Sequence, residues 1–159
     1  MTTDFADFVR LRYSELLRSA YLLTGSTHAA EDLLQTALLK AMGRWSTIDE
    51  PLPYIRRSMV NLHVSVWRRY GAREILHAVL PERGVRDGVH QVEQRHAIVD
   101  ALRALPPRTR AVVVLRYWDD LSEADTAAAL NCSIGTVKSQ ASRGLARLRV
   151  VLGERTMTP

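Results

Sequence analysis

The sequence has one cysteine, Cys132, among its 159 residues. One cysteine excludes an internal disulfide and any cysteine-rich metal cluster. The five histidines show no metal-ligand spacing, and the chain has no H-E-x-x-H motif, glycine-rich phosphate loop or G-x-S-x-G turn. We therefore expect no metal, no cofactor and no enzymatic activity. A lone thiol can sense redox conditions, but the position of Cys132 beside Leu130 favours a small packed side chain.

Long apolar runs, aromatic residues, glycine and proline are also scarce. No apolar segment approaches the ~20 residues that cross a bilayer, and the N-terminus begins polar and acidic, unlike a signal peptide. We expect no membrane insertion and a cytoplasmic location. Aromatic residues make up 6% of the chain, and no long segment alternates apolar with polar residues as a strand does. With 47% hydrophobic residues, the chain is predicted to be globular and all-α.

Acidic residues are absent from two basic segments. The formal net charge is +5, from 22 Lys and Arg against 17 Asp and Glu. Residues 54–73 contain five arginines and no acid, and residues 134–149 contain four basic residues and no acid. Two separated basic elements can contact one nucleic acid at two points. The charge pattern therefore favours a polyanionic partner.

A helix-turn-helix is predicted over residues 121–149. Ser122 can cap its first helix in a capping-box-like pair with Asp125, Asn131 suits a turn that needs positive φ, and Ser133 can cap the second helix. On that second helix an apolar stripe of Val137, Ala141, Leu145 and Leu148 has helical spacing. The other face carries groups that bond base edges and phosphates, and these candidates for reading duplex DNA are Thr136, Lys138, Ser139, Gln140, Ser142, Arg143 and Arg147. A solvated face of an ordinary amphipathic helix is the alternative interpretation.

Three long helices are predicted in the first half, over about 4–24, 27–45 and 54–70, with the proline-containing segment 46–53 as a loop. Residues 71–91 show no sustained period and read as a flexible linker. We divide the chain into a first domain at 1–73, a linker at 74–91, a second domain at 92–153 and a tail at 154–159. The fold class is all-α, with two small helical domains.

This arrangement resembles the extracytoplasmic-function (group 4) sigma-70-type sigma factors of bacterial RNA polymerase. The first domain is similar to sigma region 2 and the second to sigma region 4, and residues 8–10 and 21–25 are similar to the sigma-E-type subset common in actinobacteria. The motifs that carry the resemblance are Ala30–Gln35 with Trp45, Tyr54–Arg57 through Asn61, Leu105–Arg108 and Gly135–Ser139.

The resemblance implies that the chain binds core RNA polymerase at the β′ clamp and the β flap, and recognises the −35 and −10 promoter elements. It also implies an anti-sigma partner, which no residue identifies. On matching positions, the core-binding residues are Glu31, Asp32, Leu33 and Gln35. A solvated acidic face is the plain alternative for Glu31 and Asp32. Melting of the −10 element captures an unstacked base, here beside the 46–53 loop. The residues that the resemblance implies for −10 recognition and melting are Arg56, Arg57, Asn61, Ser65, Arg68 and Arg69.

Two departures from the family pattern occur in the helix-turn-helix. Thr126 stands where an aliphatic residue is usual, and Asn131–Cys132 replaces a glycine-containing turn, so we expect looser packing there. A helix-turn-helix regulator that binds duplex operator DNA without joining the polymerase is the competing function. It leaves the arginine-rich helix of the first half unexplained.

Overall fold

Seven α-helices make up most of the part of the chain that the structure, a computed structural model, describes. That part comprises residues 3–78 and 89–156, with side chains described except at 67, 68, 70–78, 89–95 and 154–156. No strand occurs within it, so the all-α prediction is confirmed. The α-helices are α1 (Phe5–Thr24), α2 (Thr27–Met42), α3 (Pro51–Ala78), α4 (Val89–Arg103), α5 (Pro107–Val113), α6 (Glu123–Leu130) and α7 (Ile134–Thr156).

The first unit, α1 to α3, is built as its apolar spacing predicts. Gly25 ends α1 with a positive φ of 75°, and the Ser26 hydroxyl accepts from the Ala29 amide to begin α2. Trp45 packs on Phe5 and Phe8 and donates from its indole nitrogen to the Thr3 carbonyl over 3.0 Å. The core of this unit contains Phe8, Leu16, Ala20, Ala30, Leu34, Ala37, Leu38, Ala41, Ile55 and Met59.

The predicted loop at 46–53 is shorter in the structure. A 3₁₀ turn occupies Trp45–Thr47, and α3 already begins at Pro51. Pro51 and Pro53 thus lie in the first helical turn, where an amide N–H has no helical acceptor and proline costs little. The prediction that both prolines lie outside the helix was wrong for this reason.

The two helices beside the predicted linker extend into it. The α3 helix continues to Ala78 instead of ending near Tyr70, and α4 begins at Val89. The remaining positions, 79–88, lie outside the described residues. The division at 73, 91 and 153 therefore stays a prediction.

The second unit, α4 to α7, is closed by a tight contact between α5 and α7. A Cβ added at Gly144 would lie 2.6 Å from Cγ2 of Val113, so only glycine permits this approach. Between α5 and α6 the chain forms one π-helical segment, Val114–Trp118, and then a turn in which Asp120 has a positive φ of 56°. The second unit buries Leu102, Leu105, Val112, Leu115, Leu130 and Val137, among others.

The two units pack against each other. Leu23 of α1 and Val60 of α3 belong to the same apolar cluster as Leu102, Leu105 and Val112 of the second unit. The first unit therefore has two apolar faces, one for its own core and one for its neighbour.

Candidate nucleic-acid and polymerase interfaces

The helix-turn-helix has the local geometry that its sequence predicts. The Ser122 hydroxyl accepts from the Asp125 amide over 3.0 Å, and the Ser133 hydroxyl accepts from the Thr136 amide over 3.1 Å. Asn131 has a φ of 53° at the end of α6. Both caps and the turn are confirmed, so α7 begins where a recognition helix is required.

The outer face of α7 carries the predicted DNA-reading residues, and all but one are exposed. The exposed ones are Thr136, Lys138, Ser139, Ser142, Arg143 and Arg147. Gln140 is half-buried, and its side-chain oxygen accepts a hydrogen bond from the Thr109 hydroxyl of α5. Gln140 is thus bonded to α5 within the protein, whereas the other six side chains face solvent.

The inner face of α7 fixes the helix on the second unit. Val137 and Ala141 are buried, and Leu145 and Leu148 are half-buried toward the C-terminal end. Thr126 on α6 is fully buried, and its hydroxyl has no hydrogen-bond partner in the described part of the chain. An unsatisfied buried hydroxyl costs stability, and the looser packing expected at this position stays a prediction.

A groove of about 710 Å³ runs beside the recognition helix. Arg143 and Arg147 line it on α7, Arg108 lines it on α5, and Val64 of the first unit lies on its other side. Arg108 also donates to the Leu130 carbonyl over 3.0 Å, which ties α5 to the end of α6. One wall of this cationic groove therefore comes from the first unit.

A polar stripe runs along the exposed side of α3. Arg57, Asn61, Ser65 and Arg69 follow one another at four-residue spacing and are all exposed. Such spacing places side chains on one helix face, here over about 18 Å. The side chain of Arg68 lies outside the described ones. The structure thus brings four of the six predicted −10 residues onto one surface.

Arg56 lies off this stripe and is directed into the protein. Its side chain is 13% exposed, and its Nη2 donates to Oε1 of Glu15 over 2.5 Å. Its Nε lies 3.6 Å from Oδ1 of Asp119 in the second unit. Arg56 therefore does not share the exposed surface of the other described −10 candidates, because Glu15 and Asp119 hold its guanidinium.

The Asp49–Glu50 segment borders an open cavity of about 400 Å³. Phe8 and Leu11 form its apolar wall, and Arg12 and Pro53 lie at its edge. Pro53 precedes Arg57 by one helical turn, so the polar stripe of α3 leads to this cavity. The cavity combines apolar surface with polar groups, as a site for an unstacked base requires.

The predicted polymerase-binding residues of α2 divide into two pairs. Asp32 and Gln35 are exposed, whereas Glu31 and Leu33 are half-buried. Leu33 packs against both apolar clusters, including the one shared with the second unit. The exposed pair forms the part of this surface that a partner can reach directly.

Sequence reasoning missed three polar groups at the contact between the units. Arg110, His63 and Asp119 are buried there, and their only sequence signal is that Arg110 stands next to the apolar run 111–115. Arg110 lies close enough to His63 to act on its ionisation, since burial and then the Arg110 charge lower the pKa of His63 to about 4. His63 is therefore neutral at physiological pH.

Within residues 3–78 and 89–156, no group of three or more His, Cys, Asp or Glu residues is placed to hold a metal ion. No described helix is long and apolar enough to span a membrane. The candidate binding surfaces are therefore the exposed cationic face of α7 and the exposed polar stripe of α3.

Comparisons with known proteins identify the family. Residues 8–73 match the family described as sigma-70 region 2, and residues 95–148 match sigma-70 region 4. The RNA polymerase sigma-E factor of Streptomyces coelicolor is 43% identical over 157 residues, which cover 97% of this chain and 89% of that protein. The ECF RNA polymerase sigma factor SigM of Mycobacterium tuberculosis is 35% identical over 94% of this chain and 77% of that protein. The chain belongs to the extracytoplasmic-function sigma factors.

Solved structures place the sigma factor in the same fold. The sigma factor RpoE of Bartonella quintana, solved in complex with the anti-sigma factor NepR, has a TM-score of 0.77 and 27% identity, and the match covers 94% of this chain and 97% of that one. CnrH, solved with the cytosolic domain of CnrY, has a TM-score of 0.68 at 18% identity and supports the fold alone. The chain is a sigma factor that acts in transcription initiation with RNA polymerase, and the competing assignment as a separate operator-binding regulator is not favoured.

Proposed function

We propose that the two units of this sigma factor have different binding functions, with the first domain at 1–73 and the second at 92–153. The first domain binds core polymerase and the −10 strand, and the second reads the −35 duplex. The 74–91 segment joins them, and 154–159 form a tail. The family matches at 8–73 and 95–148 support these limits.

The exposed cationic face of α7 carries the −35 part of the proposal. Ser133 begins the helix with a capping hydrogen bond, and the helix then presents Thr136, Ser139, Arg143 and Arg147 on one side. A recognition helix inserts this side into the major groove, where arginine pairs with guanine and hydroxyl groups bond bases or phosphates. Lys138 and Ser142 flank the row, and the half-buried Gln140 lies beside it with its side-chain oxygen accepting from the Thr109 hydroxyl.

The stripe on α3 carries the −10 part. Arg57 and Arg69 supply charge for phosphates, and Asn61 and Ser65 supply hydrogen bonds along the same face. The adjoining cavity at Asp49 and Glu50 is the proposed site for an unstacked base. Arg56 and Arg68 complete the proposed set, with Arg56 reaching the strand only after it leaves Asp119.

The β′ clamp of core polymerase is proposed to bind α2 through Asp32 and Gln35, with Glu31 and Leu33 at the edge of the contact. The second domain is proposed to contact the β flap. The protein is proposed to act in the cytoplasm and without catalytic activity of its own. We also propose regulation by an anti-sigma factor, by analogy with the complex of RpoE with NepR. The exposed carboxylate and amide on α2 are consistent with a polar docking surface.

Replacing Arg143 tests the −35 assignment. For Arg143→Ala we expect a loss of discrimination between the correct and altered −35 duplexes of about 1–3 kcal/mol, because a base contact specifies sequence. Binding to duplex variants is measured by fluorescence anisotropy, with Arg149→Ala as the matched control on the same helix. Unchanged base preference in Arg143→Ala would remove this residue from the readout.

A further inference from the structure

The contact between the units contains a polar cluster with members from both units. We define the interdomain cluster as Glu15, Ser19 and Arg56 of the first unit with Asp119 of the second. The Ser19 hydroxyl donates to Oδ1 of Asp119 over 2.5 Å, and Nε of Arg56 lies 3.6 Å from the same oxygen. The Asp119 side chain is only 3% exposed. Its carboxylate is thus removed from water by the first unit.

Main-chain contacts beside this cluster join the same two units. Nη1 of Arg110 donates to the Leu23 carbonyl over 2.7 Å, and Arg103 donates to the Gly25 carbonyl. These carbonyls lie at the C-terminal end of α1, where a helix leaves acceptors without amide partners. Leu23 itself packs in the apolar cluster shared with the second unit. The cluster is therefore part of a continuous interface.

The interface has the composition of a contact that can open. A buried carboxylate and guanidinium lose hydration, and the attraction between them compensates for this only in part. Accordingly, burial raises the pKa of Asp119 despite the opposing effects of the Ser19 hydrogen bond and the Arg56 charge. When the units separate, Asp119 and Arg56 regain water. The cluster thus defines a closed arrangement without making opening prohibitive.

We propose that the interdomain cluster is an autoinhibitory contact in which Asp119 of the second unit sequesters Arg56 from the promoter strand. This inference rests on the proposed role of Arg56 in binding the −10 strand. With Nη2 on Glu15, Nε beside Asp119 and only 13% of its side chain exposed, Arg56 is not presented to a DNA phosphate in this arrangement. The same closure covers part of Leu33 on α2 and places Val64 across the groove from Arg143. Separation of the units therefore frees Arg56 and uncovers part of Leu33, whereas Arg143 and its neighbours on α7 are already exposed.

The closed contact is tested first without DNA. Small-angle X-ray scattering of the free full chain gives its radius of gyration, which is about 15 Å for one compact body of this length. We expect a larger radius for Asp119→Ala and for Ser19→Ala, which remove opposite sides of the same hydrogen bond. Asp120→Asn is the matched control, because Asp120 is exposed, adjacent and already at a positive φ that asparagine tolerates. An unchanged radius in both variants, each still folded by circular dichroism, would overturn the proposal.

Binding to a mixed-sequence, 20-nucleotide single-stranded DNA at low salt then tests the inhibition. We expect Asp119→Ala to bind about threefold to tenfold more tightly than the parent, as one freed guanidinium adds a charge-assisted phosphate contact. Arg56→Ala should have little effect in the parent and should abolish this gain in Asp119→Ala. A larger radius with no gain in affinity would overturn autoinhibition.

Arg57→Ala separates failure of this inference from failure of the proposed function. Arg57 is exposed in the closed arrangement, so its replacement should weaken single-strand binding in the parent and in Asp119→Ala. If Arg57→Ala weakens binding and Arg56→Ala does not in either background, only the role given to Arg56 is wrong. If neither replacement matters, the α3 stripe is not the strand-binding surface and the proposed function fails.

Discussion

Arg110 binds four main-chain carbonyl oxygens through one guanidinium group. The acceptors are those of Leu102, Arg103 and Leu105 in the second unit and Leu23 in the first. Burial and then the nearby Arg103 charge lower the pKa of Arg110 to about 10, so the group is still cationic at neutral pH. A planar guanidinium with five donors suits several helix-end carbonyls at once. One residue thus completes the ends of two helices.

We expect Arg110→Met to lower the free energy of unfolding by about 3 kcal/mol or more, because it leaves several buried carbonyls without donors. Urea denaturation followed by circular dichroism measures the change. Arg149→Met, at an exposed position on α7, is the control and should change stability little. A loss in Arg110→Met no larger than in the control would show that these carbonyls find other donors.

The lowered pKa of His63 gives stability a defined pH dependence. Above pH 6.5 the imidazole is neutral in both folded and unfolded chains. Between pH 6.5 and about pH 4 the unfolded chain takes up a proton that the folded chain resists. The free energy of unfolding therefore decreases as the pH is lowered, by about 3 kcal/mol in all. The raised pKa of Asp119 has the opposite effect. At pH values above the ordinary pKa of an aspartate, it lowers the free energy of unfolding as the pH rises.

The measurement for His63 is thermal unfolding from pH 7 to pH 4 in the parent and in His63→Gln, which cannot titrate. Because Asp119 and the other carboxyl groups are common to both proteins, the difference between the two curves isolates His63. We expect the parent to lose more stability than His63→Gln over this window. Parallel curves would contradict the lowered pKa.

At the scale of elements, the recognition helix was predictable from sequence because its caps, turn and apolar stripe are local. Ser133 and Asn131 act through neighbouring amides and their own backbone angles, which sequence order specifies. The face of α3 was less predictable. The helical spacing of Ile55, Met59, Leu62 and Val66 predicts a buried line along α3. Val66 is nevertheless 46% exposed, whereas Val60 and His63, which lie off this line, are buried. The second unit covers α3 on a side that periodicity within the helix cannot anticipate.

The α2 helix offers a direct test of polymerase binding. We expect the double variant Asp32→Ala with Gln35→Ala to bind core polymerase about tenfold more weakly, equivalent to about 1.4 kcal/mol. Its binding of −35 duplex should be unchanged, because these residues lie in the other unit. Lys40→Ala, exposed on the same helix, is the control. Core affinity equal to that of the parent would exclude Asp32 and Gln35 from the interface.

At the scale of the whole molecule, two units with separate binding surfaces share one apolar cluster and one polar cluster. The shared apolar residues Leu23 and Val60 favour closure, while the buried Asp119 limits how stable closure becomes. Binding of polymerase to Leu33 and of the promoter strand to Arg56, which closure covers in part, would shift the molecule toward separation, since ligands favour the state that they bind better. The arrangement links availability of the promoter-binding groups to assembly with the polymerase.

As a sigma factor, this chain directs RNA polymerase to promoters. Run-off transcription with purified core polymerase, a pool of genomic promoter fragments, and the chain added or omitted tests it most directly. We predict specific transcripts only when the chain is present, with start sites that align on shared −35 and −10 elements. No transcripts and no binding to core polymerase, together with sequence-specific DNA binding by the chain alone, would contradict the account.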